Sequence, residues 1–278
     1  MYITQQKAKD LDIILMGKYR FSLDRLMELA GLSVACAIEK EFPTSRAVRK
    51  SDLNVLALAG KGNNGGDALV AARYLKMFGY SPSIYHPILS DNEHIRNLIS
   101  QCSAWGIPML KELPQPGTID QEFGFILDGI FGFGFKGEIR HPFNQIIDQI
   151  KRCQSTRIIS IDIPSGWEVD TGELTFSFRL IHRQSIGVGN INGQGLDPYM
   201  LISMSVPKLC AKFHEEKPDT VHYLGGRFIP EYEFSPLSTS TAQLSFVREL
   251  NELWSLSLPP FSGSEVCVKL KPIDSHVI

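Results

Sequence analysis

The sequence predicts an α/β fold, in which helices cover both faces of a mostly parallel, doubly wound sheet. Short apolar segments of buried-strand type alternate along the chain with segments whose apolar residues repeat at helical spacing. Polar and glycine-rich residues directly follow several strand segments, at the position where open parallel sheets bind ligands. The chain has 278 residues, 43% of them hydrophobic and 21% charged, enough for one large domain or two small ones. The expected architecture is a Rossmann-like three-layer α/β/α sandwich.

Each predicted element has its own signal. Thr4 and Ser22 are suited to cap two helices and Asp67 to cap a third. The predicted helices cover residues 7–18, a segment beginning at 22, 68–79, 92–105 and 142–151. The predicted strands cover residues 54–59, 83–87, 106–110, 123–127, 156–161, 199–204 and 221–230, and residues 111–121 form a predicted connection. Alternation of the two kinds of element favours right-handed crossovers between parallel strands.

Bulk properties argue against several classes of function. The formal net charge is −2 and the sequence contains no basic patch or charge run, which argues against nucleic acid or an anionic membrane as the main partner. The five cysteines lie far apart and form no C-x-x-C pair, so we expect free thiols rather than a zinc site or a disulfide framework. No apolar stretch is long enough to span a bilayer, and no signal peptide is visible in the first residues.

Residues 61–67, which read KGNNGGD, join a predicted buried strand to a predicted helix. Backbone N–H groups at such a junction converge on an anion, and glycines remove the Cβ atoms that would keep a phosphate at a distance. The segment matches neither of the two common glycine-rich nucleotide fingerprints. It therefore indicates a ligand-binding loop of another kind, the alternative being a Gly/Asn-rich turn without chemistry.

Three predicted strand ends carry polar residues, at positions 63–67, 128–138 and 162–165. Because the carboxyl ends of parallel strands lie at one edge of a sheet, we expect these segments to form one site. Asp128 is suited to bind a cation or a ligand hydroxyl, although a helix cap or turn is the alternative. Asp162 is the best candidate for a general acid or base.

Other candidate residues carry weaker signals. Lys136 lies in a loop with few other charges and is a candidate to neutralise a phosphate, the alternative being a solvated loop lysine. Ser165 is not in a G-x-S-x-G segment, so it is not expected to be a hydrolase nucleophile. The seven histidines lack the spacing typical of a zinc site.

Three of these segments resemble motifs of the NAD(P)H-hydrate epimerase family, whose fold is the YjeF N-terminal domain. They are GNNGGD at 62–67, DGIFGFGFKG at 128–137 and SIDIPSGW at 160–167. The similarity extends to LMELAG at 26–31 and to HYLGGRF at 222–228, and the last points to the branch called apolipoprotein A-I-binding protein.

The resemblance implies an isomerase that interconverts the R and S forms of hydrated NADH and NADPH at nicotinamide C6. An ATP- or ADP-dependent dehydratase specific for the S form would then consume both. Asp162 would be the catalytic acid or base, assisted by Lys136, and Asn64, Asp128 and Ser165 would hold one potassium ion per subunit. The implied substrate-binding residues are Asn63, Asn64, Gly65, Gly66, Asp67, Gly132, Phe133, Gly134, Phe135, Lys136, Gly137, Glu138 and Asp162.

The same resemblance sets expectations for the whole chain. Residues 1–234 would form the domain, with an atypical insert at about 173–195, and 235–278 a partly flexible C-terminal extension. An insert that displaced the following strand would impair activity. A homodimer is expected, and the small residues around Ala30 suit packing against another helix or a second subunit. The expected compartment is mitochondrial or cytoplasmic, with secretion a further option in the family. The alternative function is a non-catalytic scaffold that binds a protein such as apolipoprotein A-I.

Overall fold

Eight strands form one sheet in the computed structural model, which describes residues 2–88, 91–170, 193–229 and 258–270. The strands are β1 (Asn54–Ala59), β2 (Ser81–Tyr85), β3 (Met109–Leu110), β4 (Phe125–Gly129), β5 (Arg157–Ile161), β6 (Met200–Met204), β7 (Val221–Gly225) and β8 (Cys267–Lys269). Their order is β3-β2-β1-β4-β5-β6-β7-β8, and all neighbours are parallel except β7 and β8. The predicted mostly parallel α/β sheet is confirmed, and β8 adds an antiparallel strand at one edge.

Seven α-helices lie within the described residues. They are α1 (Gln5–Gly17), α2 (Leu23–Glu41), α3 (Asn63–Met77), α4 (Glu93–Ala104), α5 (Pro116–Glu122), α6 (Phe143–Ile150) and α7 (Ala211–Glu215). Thr4 and Ser22 cap α1 and α2 as predicted, because their hydroxyl oxygens accept hydrogen bonds from Lys7 N at 3.3 Å and Arg25 N at 3.4 Å. No helix of the described residues is both long and apolar enough to cross a bilayer.

The two faces of the sheet bury separate cores. Along β1, Val55 and Ala57 pack into the core formed with α2, α3 and α4, whereas Leu56 and Leu58 pack into the core formed with α5 and α6. Alternate side chains of a strand point to opposite faces, so a strand buried on both sides reads as a continuous apolar run. This alternation confirms the three-layer α/β/α architecture.

The start of α3 differs from the prediction. Asp67 was expected to cap this helix, but α3 already begins at Asn63, with Gly62 in the N-cap position. The amide of Gly66 donates to Gly62 O at 3.1 Å, which closes the first turn. A Cβ atom on Gly65 would lie 1.9 Å from Gly60 O. The glycines are therefore part of the helix, and they allow its first turn to pack directly against the end of β1.

The small residues of α2 pack within the chain. Ala30, Gly31 and Val34 are buried, and a Cβ atom on Gly31 would lie 2.4 Å from a methyl group of Val70 in α3. Of the two expected partners for this stripe, a neighbouring helix is the one observed.

Two short helices were not predicted. Helix α5 lies in the region expected to be a connection, and Pro116 occupies its first turn, where a proline costs no hydrogen bond. Helix α7 has only five residues, too few to show helical periodicity in the sequence. Strand β3 is shorter than predicted, with two residues.

Strand β6, which follows the predicted insert, is paired on both sides within the sheet. Most of that insert, and the Ser/Thr/Pro-rich stretch at 235–240 predicted to be mobile, lie outside the described residues. Strand β6 nevertheless pairs in parallel with β5 and β7, with Ser160 opposite Leu201. The five cysteines are all free, as expected.

Candidate active site

The site lies where the strand order reverses. Strand β1 has β2 and β3 on one side and β4 to β7 on the other, so the loops after β1 and β4 diverge and leave a crevice between them. Asn64, in the first turn of α3, spans that crevice, and its side-chain amide donates to Phe131 O at 2.8 Å and to Ile161 O at 3.2 Å. Ser165 donates its hydroxyl proton to Asp128 at 2.5 Å. The structure thus brings together the three strand ends that the sequence singled out.

A cleft of about 730 Å³ opens over these strand ends. Of the predicted site residues, those lining it are Asn63, Asn64, Gly132, Phe133, Gly134, Phe135, Lys136, Gly137, Glu138 and Asp162. Lys61, the first residue of the predicted 61–67 loop, also lines it, as do Arg140 and His141, which were not predicted. Lys136 is exposed at the rim. The cleft therefore combines an acid, several basic groups and a helix N-terminus, a combination suited to a phosphate-bearing ligand.

Five predicted site residues form the support of the cleft. Gly65 and Gly66 are buried in α3, and Asp128 and Ser165 are fully buried. Asp67 is half-buried, one helical turn beyond Asn63. These residues position the lining of the cleft by packing and hydrogen bonds.

Asp128 is enclosed by neutral donors. Its Oδ1 accepts from Ile130 N at 3.2 Å and from the Ser165 hydroxyl, and its Oδ2 accepts from Ser165 N at 2.9 Å and the Ser160 hydroxyl at 2.8 Å. Burial raises the pKa of this carboxyl, and the hydrogen bonds from Ser165, Ser160 and Ile130 oppose that rise. None of the four donors is charged, so Asp128 ties the loops after β4 and β5 together without a cationic partner.

Asp162 has a different environment. It follows β5 with a backbone φ of 64°, and Ile163 N donates to Ile161 O at 2.7 Å, closing a three-residue turn around it. Its Oδ1 accepts from Lys208 Nζ at 2.5 Å and from Met204 N at 3.1 Å. Its Oδ2 accepts no hydrogen bond from the described residues. One oxygen is thus held inside the protein while the side chain lines the cleft.

The loop after β4 is anchored by α1. Gln5 is buried, and its side-chain amide donates to the carbonyl oxygens of Phe133 and, at 3.2 Å, Phe135. The ring of Phe135 stacks on that of Phe131 with 4.0 Å between centroids. These contacts hold the glycine-rich segment in a defined position over the cleft.

Sequence reasoning missed three residues that interact with the site. Lys208 lies in the segment after β6, and Gln5 and Asp12 belong to α1, so all three lie outside the recognised motifs. Burial is the main cause that raises the pKa of Asp12, and the charge of Lys208 lowers it. The one sequence signal for Lys208 is its position shortly after an apolar strand. Other lysines of the sequence occupy similar positions, so this signal does not single out Lys208.

Asp67 belongs to the same electrostatic cluster. Burial raises the pKa of its carboxyl well above the ordinary value, and the negative charges of Asp162 and Asp12 raise it further, whereas Lys208 lowers it. Asp67 and Asp162 are therefore carboxylates in contrasting environments, one resisting ionisation and the other bonded to an ammonium group.

A model of the family described as YjeF-related protein N-terminus matches residues 23–210, more than half of the chain. The chain belongs to this family. The resemblance inferred from the motifs is confirmed.

Two relatives are similar to this chain over nearly its whole length. The NAD(P)H-hydrate epimerase of Dictyostelium discoideum is 40% identical over 270 residues, spanning 97% of this chain and 96% of that protein. A crystal structure of the yeast protein ynu0 has 32% identity and a TM-score of 0.78, covering 97% of this chain and 100% of that one. Both matches extend well beyond residues 23–210. In this YjeF-related domain, Gln5 and Asp12 lie outside the segment matched by the family model, and Lys208 lies two positions before its end.

Proposed function

We propose that this protein interconverts the R and S forms of hydrated NADH and NADPH at nicotinamide C6. Its family membership and its 40% identity to an NAD(P)H-hydrate epimerase across nearly the whole chain support the proposal. The site supports it as well, because the cleft lies at the topological switch point and is lined by a helix N-terminus and basic groups suited to a dinucleotide.

The chemistry requires one positioned acid or base. The hydroxyl at C6 neighbours the ring nitrogen, so the nitrogen lone pair expels it as water once an acid supplies a proton. Water then adds to the other face of the planar iminium ion and returns a proton to the same group. A route through ring opening and reclosure also needs one positioned acid or base for its proton transfers. We assign them to Asp162, with Lys136 assisting at the rim of the cleft.

The observation that carries the assignment is the asymmetry of the Asp162 carboxylate. Lys208 Nζ and Met204 N hold Oδ1, so the proton-transferring atom is Oδ2. Asn63, Asn64 and the 132–138 segment lie along the remaining cleft and bind the dinucleotide.

The test is to incubate the purified protein with the isolated R hydrate and to follow the S hydrate by chromatography. We expect the two forms to equilibrate, and addition of the S-specific dehydratase to consume both. R hydrate that stays unchanged, while the Dictyostelium discoideum epimerase converts it in parallel, would overturn the proposal.

A potassium ion is a further part of the proposed site. Its proposed ligands are the oxygens of Asn64, Asp128 and Ser165, all of the hard kind that such a cation prefers. Asp128 supports the fit because it is a fully buried carboxylate whose four donors are neutral, so a cation would balance its charge. The ion, when bound, orders the loops electrostatically.

Thermal melts separate potassium from other salts. We expect the melting temperature to rise in potassium chloride relative to choline chloride at equal ionic strength, and the difference to vanish in Asp128→Asn. An equal melting temperature in both salts would contradict the site.

We also propose a homodimer that supplies the S form to the dehydratase. The support is family membership alone, since the small residues of α2 pack against α3 in the same chain. Sedimentation equilibrium tests the dimer, and a single species at the monomer mass would exclude it.

A further inference from the structure

Lys208 is a buried ammonium group with three neighbours. Only 3% of the residue is exposed. Its Nζ donates to Asp162 Oδ1 at 2.5 Å and to Met204 O at 2.8 Å, and it lies 5.3 Å from the centre of the Phe133 ring. A buried charge is stable only when it is paired and hydrogen-bonded, so these contacts define the position of the ammonium group.

The same ammonium group joins two unusual turns. Asp162 and Ser205 follow the neighbouring strands β5 and β6, with φ values of 64° and 62°. Each lies at the centre of a three-residue turn, since Ile163 N donates to Ile161 O and Val206 N donates to Met204 O, both at 2.7 Å. Non-glycine residues adopt this conformation only where the surroundings hold them in it. Lys208 binds the side chain of one turn and the main chain of the other.

Other ionisable groups face Lys208 from three elements. Asp12 comes from α1, Asp67 from α3 and Cys210 from the segment after Lys208 itself. Burial raises the pKa of the Cys210 thiol to about 12, so it is neutral. Lys208 is thus the cation that balances Asp162 in a cluster whose other described members are carboxyl groups and one neutral thiol.

We propose that Lys208 is the positioning residue of Asp162: its ammonium group holds Oδ1 and thereby keeps Oδ2 directed into the cleft, toward the hydroxyl group on the reacting carbon. This role rests on the proposed epimerase function. Lys208 itself does not line the cleft, so it acts through Asp162 and does not contact the substrate.

The positioning of Asp162 and the binding of the dinucleotide depend on different residues. The 132–138 segment proposed to bind the dinucleotide is held by hydrogen bonds from Gln5 to the carbonyls of Phe133 and Phe135, whereas Lys208 meets it at the Phe133 ring and forms no hydrogen bond with it among the described residues. Loss of the ammonium group therefore misplaces the acid while the loop keeps its anchor. We expect kcat to fall and KM to change little.

The experiment compares Lys208→Met and Lys208→Arg with Lys217→Met. Lys217 is the matched control, because it also forms an ion pair (with Asp197 at 2.7 Å) and lies 4.8 Å over an aromatic ring (Trp167), but outside the cleft. We expect kcat to fall about 1000-fold in Lys208→Met and about tenfold in Lys208→Arg, with KM within threefold of the wild type. Lys217→Met should match the wild type.

A crystal structure of Lys208→Met gives a readout that does not depend on activity. We expect the Asp162 carboxylate to rotate away from the cleft. If the wild type is inactive on the hydrates, the proposed function fails, and this structure still tests the positioning. If Lys208→Met does not fold, both the kinetics and the crystal structure are determined for Lys208→Arg instead. An active wild type together with a folded variant that keeps kcat within twofold, or an unmoved Asp162, would overturn the role of Lys208.

Discussion

Asp128 lies near the end of β4 and Asp162 directly follows the neighbouring parallel strand β5, and both are buried, yet the protein uses them in opposite ways. Both oxygens of Asp128 accept two hydrogen bonds each from neutral groups. Among the described residues, Asp162 accepts hydrogen bonds through one oxygen alone, from the ammonium group of Lys208 and from Met204 N. A carboxylate whose two oxygens accept four hydrogen bonds from the protein ties its surroundings together, whereas one with an oxygen facing a cleft can transfer a proton. The surroundings of the two aspartates, and not their residue type, give Asp128 a structural role and Asp162 the proposed catalytic role.

The largest expected effect is on activity, in Asp162→Asn. The amide oxygen can still accept from Lys208 and Met204 N, so we expect the fold to remain while kcat for hydrate epimerisation falls about 1000-fold, within the range of general acid–base catalysis. Initial rates of R-to-S conversion measure the fall. The exposed Asp197→Asn is the control. A fall in kcat of less than tenfold would contradict the difference in role between Asp162 and Asp128.

The next effect is on stability, in Asp128→Ala. We expect the free energy of unfolding to fall by about 3–5 kcal/mol, because several buried donors lose their acceptor and each costs about 1–3 kcal/mol. Urea denaturation measures the change.

Asp120→Ala is a matched control for this loss. The Asp120 carboxylate also accepts four hydrogen bonds, from Gln154 N, Ser155 N, Thr156 N and the Thr156 hydroxyl, but it is only partly buried. Water can replace the lost acceptor there, so we expect a loss of about 1 kcal/mol. Equal losses in the two variants would show that burial is not what makes Asp128 structural.

A smaller effect is expected from Gln5→Leu, which removes the anchor of the loop but leaves both aspartates in place. We expect KM to rise about tenfold with kcat unchanged, as for the loss of binding that is equal in the ground and transition states. Steady-state kinetics measure both constants. Gln6→Leu, at an exposed glutamine bonded to Asp10, is the control and should leave KM unchanged. A fall in kcat would mean that Gln5 also positions Asp162.

The smallest effect concerns Asp67, whose pKa is raised in the folded state above its ordinary value of 3.8. Such a group contributes stability that is complete below pH 3.8 and is lost as the pH rises through the folded pKa. Asp67→Asn cannot ionise, so it should melt about 2–4 °C higher than the wild type at pH 8 and at the same temperature below pH 4. Thermal melts across this range measure it, with the exposed Asp148→Asn as control. A rise in the melting temperature of Asp67→Asn that does not depend on pH would contradict the expected pH dependence.

The positions of the two aspartates could be predicted because each follows a short apolar strand. Parallel strands end at one edge of the sheet, so the polar residues after β1, β4 and β5 had to be neighbours. The caps Thr4 and Ser22 were also predictable, since capping depends on residues within one helical turn. The start of α3 was not, because the glycines that suggested a loop are needed for contact with the end of β1.

The sequence by itself determined the order along the chain of the strands and helices other than α5, α7 and β8, the two-sided burial of the sheet and the edge at which the polar segments meet. Those features follow from apolar periodicity and from residues close together along the chain. Only the tertiary structure decided which aspartate receives Lys208, 46 positions further on, and which loop receives Gln5. The physical reason is that a buried charge or amide selects its partner by the packing of distant elements, and no local pattern in the sequence encodes that packing.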